Sequence, residues 1–498
     1  MHRPTSLSRS ATARAVTLAL SLTAIAISTA GAQRTDVNAT LARIRAEGLE
    51  RSQGQALFLA LTDEIGARLT GSPAHLRAAN WARDRFAEWG LAQARLEPFE
   101  FGAGWELEHV SAAMTEPRYL PLIAYPEAWT PSTRGALRGR VVYIGDKSAA
   151  QVEAMGAQLE GAIVLTHPPV ETFVERDRPQ PGLADSPVAI GNPSLPRAQS
   201  PISTRELEPL LRRMRAGVTI RPSTYRDGTV GVLGSRNTPA DAVPAVIVST
   251  EQYNLMARLA AKGRPVAMSL DLRTRRLESD RNSYNVIAEL PGTDPALRDE
   301  VVLIGAHLDS WHTASGATDN ADGSVAVMEA MRILKAVGAA PRRTIRVVLW
   351  SGEEQGLLGA RAYVSRHLAT PAAREKLQAY LNDDPGSGRT LGFYMEGNAE
   401  AKAIFDRWLA PLRDLGAGIN VIEGIGSTDH VPFKEIGLPG FNAIKDFSAY
   451  DERTRHTNAD FPERMTADEL KQQAIVMATF AWQAAMMEGR IPRQAPRQ

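Results

Sequence analysis

Three aspartates lie close to His307 in the segment GAHLDSWHTASGATDNADGS, residues 305–324. The segment directly follows the apolar run EVVLI, which predicts a buried strand. Carboxylates at the end of such a strand are costly to bury unless a cation lies among them. A bound metal ion is the simplest such cation. The rest of the chain can therefore be examined for further ligands.

Further carboxylates and a histidine follow other apolar runs downstream. Besides Asp319 in the first segment, the candidate metal ligands are Glu353 and Glu354, Asp383 and Asp384, and His456. Each follows a predicted strand, and the carboxyl ends of parallel strands are where open α/β sheets build their sites. Asp309 lies two residues after His307, on the same side of an extended segment. Its carboxylate could therefore accept a hydrogen bond from the imidazole nitrogen that faces away from a metal.

Taken singly, each of these residues has a structural explanation as a capping, turn or hydrogen-bonded residue. Taken together they form a set of five ligands with one spare carboxylate. The chain has no cysteine, so a metal site must be built from His, Asp and Glu. Such a set suits two divalent ions that share a bridging carboxylate.

The elements that must position these groups predict an α/β fold. The runs EVVLIGAH and TIRVVLWSGEE are short, apolar and β-branched, as strands covered on both faces are. Between them DGSVAVMEAMRILKAVG repeats apolar residues at helical spacing. Strand, helix and strand in this order predict a mostly parallel sheet flanked by helices. Further along the chain INVIEG predicts another strand, and Thr466 with Glu469 predicts a capping box at the start of the last helix.

The middle of the chain has a different pattern. Short strands such as GRVVYIG, GAIVLTH and VPAVIVST alternate with turn residues, and a proline-rich excursion interrupts them. We therefore predict a mostly β domain inserted into the α/β domain. The predicted division is a signal peptide at 1–32, the first part of the catalytic domain at 33–116, the insertion at 117–272, the metal site at 273–490 and a tail at 491–498.

The composition excludes some classes of protein. The chain has 498 residues with 57 basic and 56 acidic side chains, a formal net charge of +1. This balance, with no basic cluster among aromatic residues, argues against a nucleic-acid partner.

The first 32 residues have the pattern of a signal peptide. Three arginines precede the apolar stretch AVTLALSLTAIAISTA, and the small-residue sequence AGA follows it. The alternative is an N-terminal membrane anchor, since sixteen apolar residues approach a short span. We expect cleavage after Ala32, and hence an exported protein, periplasmic or secreted, with no stable membrane insertion.

Several motifs resemble the M28 family of dizinc exopeptidases, and within it the carboxypeptidase Q subgroup. They are HLDSW, GATDNADGS, RRTIRVVLWSGEEQGLLGA and RHTNADF, together with the early segment IGARLTGSP. The resemblance covers nearly the whole mature chain. It implies an inserted protease-associated domain, two Zn²⁺ ions per chain and small peptide substrates. It leaves the oligomeric state open, although related enzymes are often dimers and a homodimer is one possibility.

The resemblance also implies a role for each candidate residue. One zinc would be held by His307 and Asp384, the other by Glu354 and His456, with Asp319 bridging them. Glu353 would be the general base, and Asp309 would orient the first histidine. The family pattern is less clear at NDDPG, where Asp383 remains an alternative to Asp384. Asp429 and His430 in STDHVPF could line the cleft or cap the helix that follows.

Several functions remain open at this point. An aminopeptidase or dipeptidase acting on free termini is the main prediction, and a carboxypeptidase is an alternative. Glutaminyl cyclases share the fold but use one zinc and lack the first histidine, whereas His307 is present here. A non-catalytic, receptor-like ectodomain would not need Glu353. The metal content of the protein distinguishes these classes.

Overall fold

A computed structural model of the chain describes residues 37–182, 196 and 198–494. The predicted signal peptide and the last four residues of the predicted tail lie outside the described residues. Within them the chain forms two β-sheets with helices packed on both, which confirms the α/β class.

The α-helices are numbered in chain order. They span residues 37–50 (α1), Gly54–Leu59 (α2), Pro73–Glu88 (α3), Ala149–Ala154 (α4), Thr204–Arg213 (α5), Thr250–Ala261 (α6), Asp322–Ala336 (α7), Leu358–His367 (α8), Pro371–Glu375 (α9), Ala399–Leu409 (α10), Val431–Glu435 (α11) and Ala467–Met486 (α12). Short 3₁₀ or π-helical segments occupy Ala60–Ile65, Gly156–Leu159, Ala317–Ala321, Ala410–Leu415, Tyr450–Thr454 and Pro462–Arg464.

The strands are numbered in the same way. They span Ala92–Glu100 (β1), Gly104–Glu116 (β2), Leu120–Pro121 (β3), Ala124–Pro126 (β4), Leu137–Tyr143 (β5), Ile163–Leu165 (β6), Val218–Pro222 (β7), Ala245–Val248 (β8), Ala267–Leu277 (β9), Asn282–Leu290 (β10), Val301–His307 (β11), Thr344–Trp350 (β12), Leu377–Asn382 (β13), Ser387–Tyr394 (β14) and Gly440–Asp446 (β15).

The first sheet has the strand order β1-β10-β12-β11-β13-β15-β14. Its four central strands, β12, β11, β13 and β15, are parallel to one another, whereas β1, β10 and β14 pair antiparallel. The sheet is therefore mixed, and the expectation of a mostly parallel sheet holds only for its centre.

The βαβ unit predicted from the sequence is present as β11, α7 and β12. In the register of the sheet His307 pairs with Trp350, and Gly305 pairs with Asn382 of β13. The carboxyl ends of these three strands therefore lie side by side. Each is followed within two or three residues by one of the candidate acidic groups, as the sequence analysis expected.

Helices cover both faces of this sheet. On one face α7 and α12 pack against the strands in the largest apolar cluster, and on the other α8 and α11 pack around Trp350 and Tyr380. The predicted capping box at the start of α12 is present, since Thr466 and Glu469 bond each other's backbone N–H groups. None of the described helices is both long and apolar enough to cross a bilayer.

The second sheet has the order β3-β2-β9-β5-β6-β7-β8-β4 and carries α4, α5 and α6. Strands β5, β6, β7 and β8 are parallel, and the others pair antiparallel. The long strands β2 and β9 pair antiparallel, from Gly104 opposite Leu277 to Glu116 opposite Ala267. An inserted domain at 117–272, with its exact limits, stays a prediction.

Gly305 of β11 offers a test of how tightly the centre of the first sheet is packed. A Cβ at Gly305 would lie 2.8 Å from the Val348 carbonyl oxygen and 2.9 Å from the Trp350 indole nitrogen. We expect Gly305→Ala to lower the free energy of unfolding by about 1–3 kcal/mol, because neither neighbour can move away freely. The measurement is urea unfolding in the presence of a chelator, so that metal binding does not contribute.

Gly139→Ala is the matched control, because Gly139 also lies in a strand but a Cβ there would meet nothing within 4 Å. We expect this variant to unfold within about 0.5 kcal/mol of the parent. Equal unfolding midpoints for the two variants would contradict the close approach at Gly305.

Candidate functional site

His307, at the end of β11, is the centre of a first group of ligand atoms. Its Nε2 lies 3.3 Å from Asp319 Oδ1 and 3.5 Å from Asp384 Oδ1. All three side chains are buried. Asp319 comes from the turn that precedes α7, and Asp384 from the turn after β13. Residues predicted from three separate segments are thus brought together.

His456 is the centre of a second group. Its Nε2 lies 3.3 Å from Asp319 Oδ2 and 3.0 Å from Glu354 Oε2. Asp319 thus presents one carboxylate oxygen to each histidine. The two groups share this residue and contain all five predicted metal ligands.

The spacing within each group fits a small metal ion. Zinc binds histidine nitrogen and carboxylate oxygen at about 2.0–2.2 Å in a tetrahedral arrangement, which separates the ligand atoms by about 3.3 Å. The four measured separations range from 3.0 to 3.5 Å. Each group could therefore hold an ion with little movement of its side chains. The roles of the five residues as metal ligands stay predictions.

Several atoms of the two groups lack the hydrogen bonds that buried polar atoms normally make. Among the residues that the structure describes, none is a hydrogen-bond partner of the buried atoms His307 Nε2, Asp384 Oδ1 and Glu354 Oε1. His307 Nε2 and Asp384 Oδ1 lie 3.5 Å apart, and a cation bound between them would satisfy both.

The electrostatics of the site also favour a cation. Burial would lower the pKa of His456, but Glu354 and Asp319 outweigh it and raise the pKa to about 9. Burial raises the pKa of Glu353 well above its usual range, with Asp384 and Glu354 adding to the effect. The carboxylates thus repel one another and stabilise positive charge at the histidines. A bound metal ion would supply that charge directly.

Asp309 contacts His307 through its backbone, and not through its carboxylate as the sequence predicted. The Nδ1 of His307 lies 2.9 Å from the backbone carbonyl oxygen of Asp309, whereas the Asp309 carboxylate is 3.8 Å away. The imidazole is thus oriented by the backbone, because the chain turns directly after His307. The carboxylate instead accepts hydrogen bonds from the backbone N–H groups of Glu353 and Glu354, both at 3.3 Å, and from the Thr70 hydroxyl at 2.9 Å.

The paired glutamates lie in a tight turn after β12. Gly352 adopts a φ of +72°, a conformation that favours glycine, and its N–H donates to the Thr70 hydroxyl. The turn directs Glu354 to His456, while Glu353 lies beside it and lines the cleft. In the sequence, Thr70 carried no signal of this contact beyond its place in IGARLTGSP.

Asp383 and Asp384 face different partners. Asp384 belongs to the His307 group, whereas Asp383 forms a buried ion pair with Lys445 at 2.8 Å. Lys445 also contacts Asp322 at 2.8 Å. The geometry therefore favours Asp384 over Asp383 as the metal ligand. The sequence contained no signal for Lys445, which comes from β15.

Two further residues that the sequence analysis missed hold the Asp319 turn in place. Asp460 accepts hydrogen bonds from the backbone N–H groups of Thr318 and Asp319 at 2.8 and 3.2 Å. The buried Arg68 guanidinium donates to the carbonyl oxygens of Leu308, Ser315 and Gly316. Asp460 lies in the quoted motif RHTNADF and could have been found there.

The loop that carries His456 is held by the part of the chain that bears the second sheet. His456 has a φ of +57°, and its carbonyl oxygen accepts a hydrogen bond of 3.0 Å from the Val232 N–H. Arg178 forms a buried two-pronged ion pair with Asp451, with both hydrogen bonds at 2.6 Å. Asp177 accepts hydrogen bonds from the Ala449 and Glu452 N–H groups. These contacts fix a conformation that an isolated loop would rarely adopt.

Both groups open onto one cleft of about 440 Å³. Its lining residues are Asp319, Glu353, Glu354, Gly356, Leu357, Arg361, Asp384, Pro385, Ser427, Tyr450, Arg455 and His456. Asp429 is not among them, and its side chain is fully buried. His430 is buried against Glu396 and precedes α11. Neither residue lines the cleft.

Residues 285–481 match the family model described as Peptidase family M28. Carboxypeptidase Q of Homo sapiens is 25% identical over 92% of this chain and 90% of its own length. A crystal structure of a peptidase M28 precursor from Shewanella amazonensis SB2B aligns with a TM-score of 0.71 and 25% identity, covering 93% of this chain and 100% of that one. A zinc aminopeptidase from Bacillus subtilis shares the fold, with a TM-score of 0.60 and 18% identity over 87% of this chain and 95% of its own.

The two aspartates after β13 can be separated by experiment. We expect Asp384→Asn to weaken metal binding by more than about tenfold, since it removes a charged ligand candidate. We expect Asp383→Asn to retain the metal but to lower stability, because it breaks part of a buried ion pair whose loss typically costs about 3–5 kcal/mol. Metal content and urea unfolding measure the two effects. Metal loss in the Asp383 variant alone would reverse the assignment.

Proposed function

We propose that this chain, a metallopeptidase similar to family M28 over residues 285–481, is an exported dizinc exopeptidase that hydrolyses short peptides, dipeptides especially. One observation carries the proposal. Two groups of ligand atoms share Asp319, and both face the cleft that contains the spare carboxylate of Glu353. A binding protein would need neither the shared ligand nor the spare base.

In this proposal one zinc is held by His307, Asp319 and Asp384, and the other by Asp319, Glu354 and His456. Nitrogen and carboxylate ligands without thiolate suit zinc, and the similar Bacillus subtilis structure is described as a zinc aminopeptidase. Zinc bound there would acidify water and polarise the scissile carbonyl group.

Glu353 is the proposed general base. Its carboxylate accepts a proton from the attacking water and then delivers that proton to the nitrogen of the departing amine. The Asp309 carboxylate holds the Glu353 backbone through the 3.3 Å hydrogen bond described above, and so fixes where the side chain begins. The hydrogen bond that the Asp309 carbonyl accepts from His307 Nδ1 leaves Nε2 free to bind a metal.

The proposal includes the location and the assembly of the protein. The pattern of residues 1–32 supports cleavage after Ala32 and export to the periplasm or the medium. The part of the chain with the second sheet is proposed to be an inserted domain of the protease-associated type. Single-zinc cyclisation is disfavoured by His307, which completes the first ligand group. Both a monomer and a homodimer are compatible with the proposal.

Glu353→Gln tests the division between base and ligand. An amide cannot accept the proton, so we expect turnover to fall by about 10²–10⁴-fold while the zinc content stays unchanged. Glu354→Ala and His456→Ala are the comparison variants, and we expect both to lose metal as well as activity. If Glu353→Gln lost its metal while Glu354→Ala kept it, the two roles would be exchanged.

The substrate class is tested with one dipeptide in three forms: free, N-acetylated and C-amidated, each with equal zinc. We expect the free dipeptide to be hydrolysed fastest and a chelator to abolish hydrolysis. Blocking a terminus removes a charge that the cleft should bind, which typically costs about 1–3 kcal/mol. Equal cleavage of all three forms would point to an endopeptidase instead. No cleavage of any form by zinc-loaded protein would reject the peptidase proposal.

A further inference from the structure

We propose that Arg455 binds the terminal carboxylate of the substrate, so that the enzyme selects peptides with a free carboxyl terminus one residue beyond the scissile bond. This inference rests on the peptidase function proposed above and names a specificity residue for it. Arg455 directly precedes His456 and lines the same cleft as Glu353 and Glu354.

The guanidinium of Arg455 has N–H donors that are available to a ligand. Within the described part of the chain it donates no hydrogen bond, and its single ion pair is with Asp451, at 3.6 Å. That distance exceeds an N–H···O hydrogen bond. Asp451 meanwhile accepts hydrogen bonds from Nε and Nη2 of Arg178, each at 2.6 Å. Arg455 is therefore held near a carboxylate whose charge is already neutralised.

The Arg455 guanidinium is unusual because it is largely buried and yet donates no hydrogen bond within the described residues. The Arg455 side chain is only 13% exposed, and a guanidinium so far removed from water is normally paired. Solvent alone therefore satisfies it poorly. A ligand anion entering the cleft would complete its hydrogen bonds, and a carboxylate matches the planar fork of arginine.

The charge balance of the cleft favours an anion at this position. The acidic residues that line the cleft are Asp319, Glu353, Glu354 and Asp384. The two divalent ions of the proposed function would together balance these four carboxylates. The positive charge of Arg455 then has no counter-charge left among the carboxylates that line the cleft. A dipeptide supplies one anionic group, its carboxyl terminus.

Covalent geometry makes the position suitable. In a dipeptide the terminal carboxylate is separated from the departing nitrogen by only two bonds, of about 1.46 and 1.52 Å. The group that binds it must therefore lie in the same cleft as the general base. Because Arg455 adjoins a proposed ligand in the chain, its backbone is fixed by the same contacts that fix His456.

Arg361 provides a matched control. It also lines the cleft, but its guanidinium is paired with Glu435 at 2.7 and 3.1 Å, and its side chain is 47% exposed. It therefore has a partner and ready access to water. A general effect of removing positive charge from the cleft would be seen in both arginine variants, whereas carboxylate binding would be seen at Arg455 alone.

The experiment compares Ala-Leu with Ala-Leu amide as substrates for the zinc-loaded protein and for Arg455→Gln, Arg455→Lys and Arg361→Gln. We expect Arg455→Gln to lower kcat/KM for Ala-Leu by about 10- to 100-fold, mainly through KM, and to change the amide by less than about twofold. Lysine should restore part of the preference for the free acid, since it keeps the charge but not the fork. Arg361→Gln should retain the full preference.

Binding provides a readout apart from turnover. Calorimetry of Ala-Leu with Glu353→Gln and with Glu353→Gln/Arg455→Gln should show weaker binding in the double variant, with equal zinc content in both. A loss of equal size on the acid and the amide would overturn the inference, since Arg455 would then act on the oxyanion or on the fold. If the parent cleaved neither compound, the peptidase proposal would fail, while the calorimetry would still decide the role of Arg455.

Discussion

The bridging position of Asp319 is the constraint on which the rest of the site depends. One carboxylate presents an oxygen to each of two histidines that come from distant segments of the chain. For this to occur, the turn before α7 must be fixed on both sides. Asp460 binds its backbone N–H groups, and Arg68 binds the carbonyl oxygens of the preceding loop. The surrounding polar contacts thus serve mainly to hold one side chain in place.

The central parallel strands explain why so much of the site could be predicted. His307, the glutamate pair and Asp384 each follow the end of a strand, and in parallel strands those ends share one edge. Local periodicity indicated the strands, and residue type indicated the chemistry. The same reasoning gave the βαβ unit and the capping box of α12, since both depend on residues close together in the chain.

The parts that could not be predicted depend on contacts between residues far apart in the sequence. The ion pair of Lys445 with Asp383 joins two strands, and no sequence pattern near either residue predicts it. The segment INVIEG was expected to be a strand, but Val421 forms only an isolated bridge to Tyr394. Asp309 was placed correctly beside His307, yet whether its carbonyl or its carboxylate meets the imidazole depends on a turn that periodicity does not determine.

The loop of His456 is held in place by residues 177, 178 and 230–232. These contacts limit how the molecule could be shortened or rearranged. The first ligand group is built from residues 307–384, all within the α/β part, whereas the conformation of His456 depends on partners more than two hundred residues earlier in the chain. Excising the segment that bears the second sheet would therefore remove supports of one of the two ligand groups. In this protein the segment is a structural component of the active centre, and descendants of the chain could lose it only by replacing those supports.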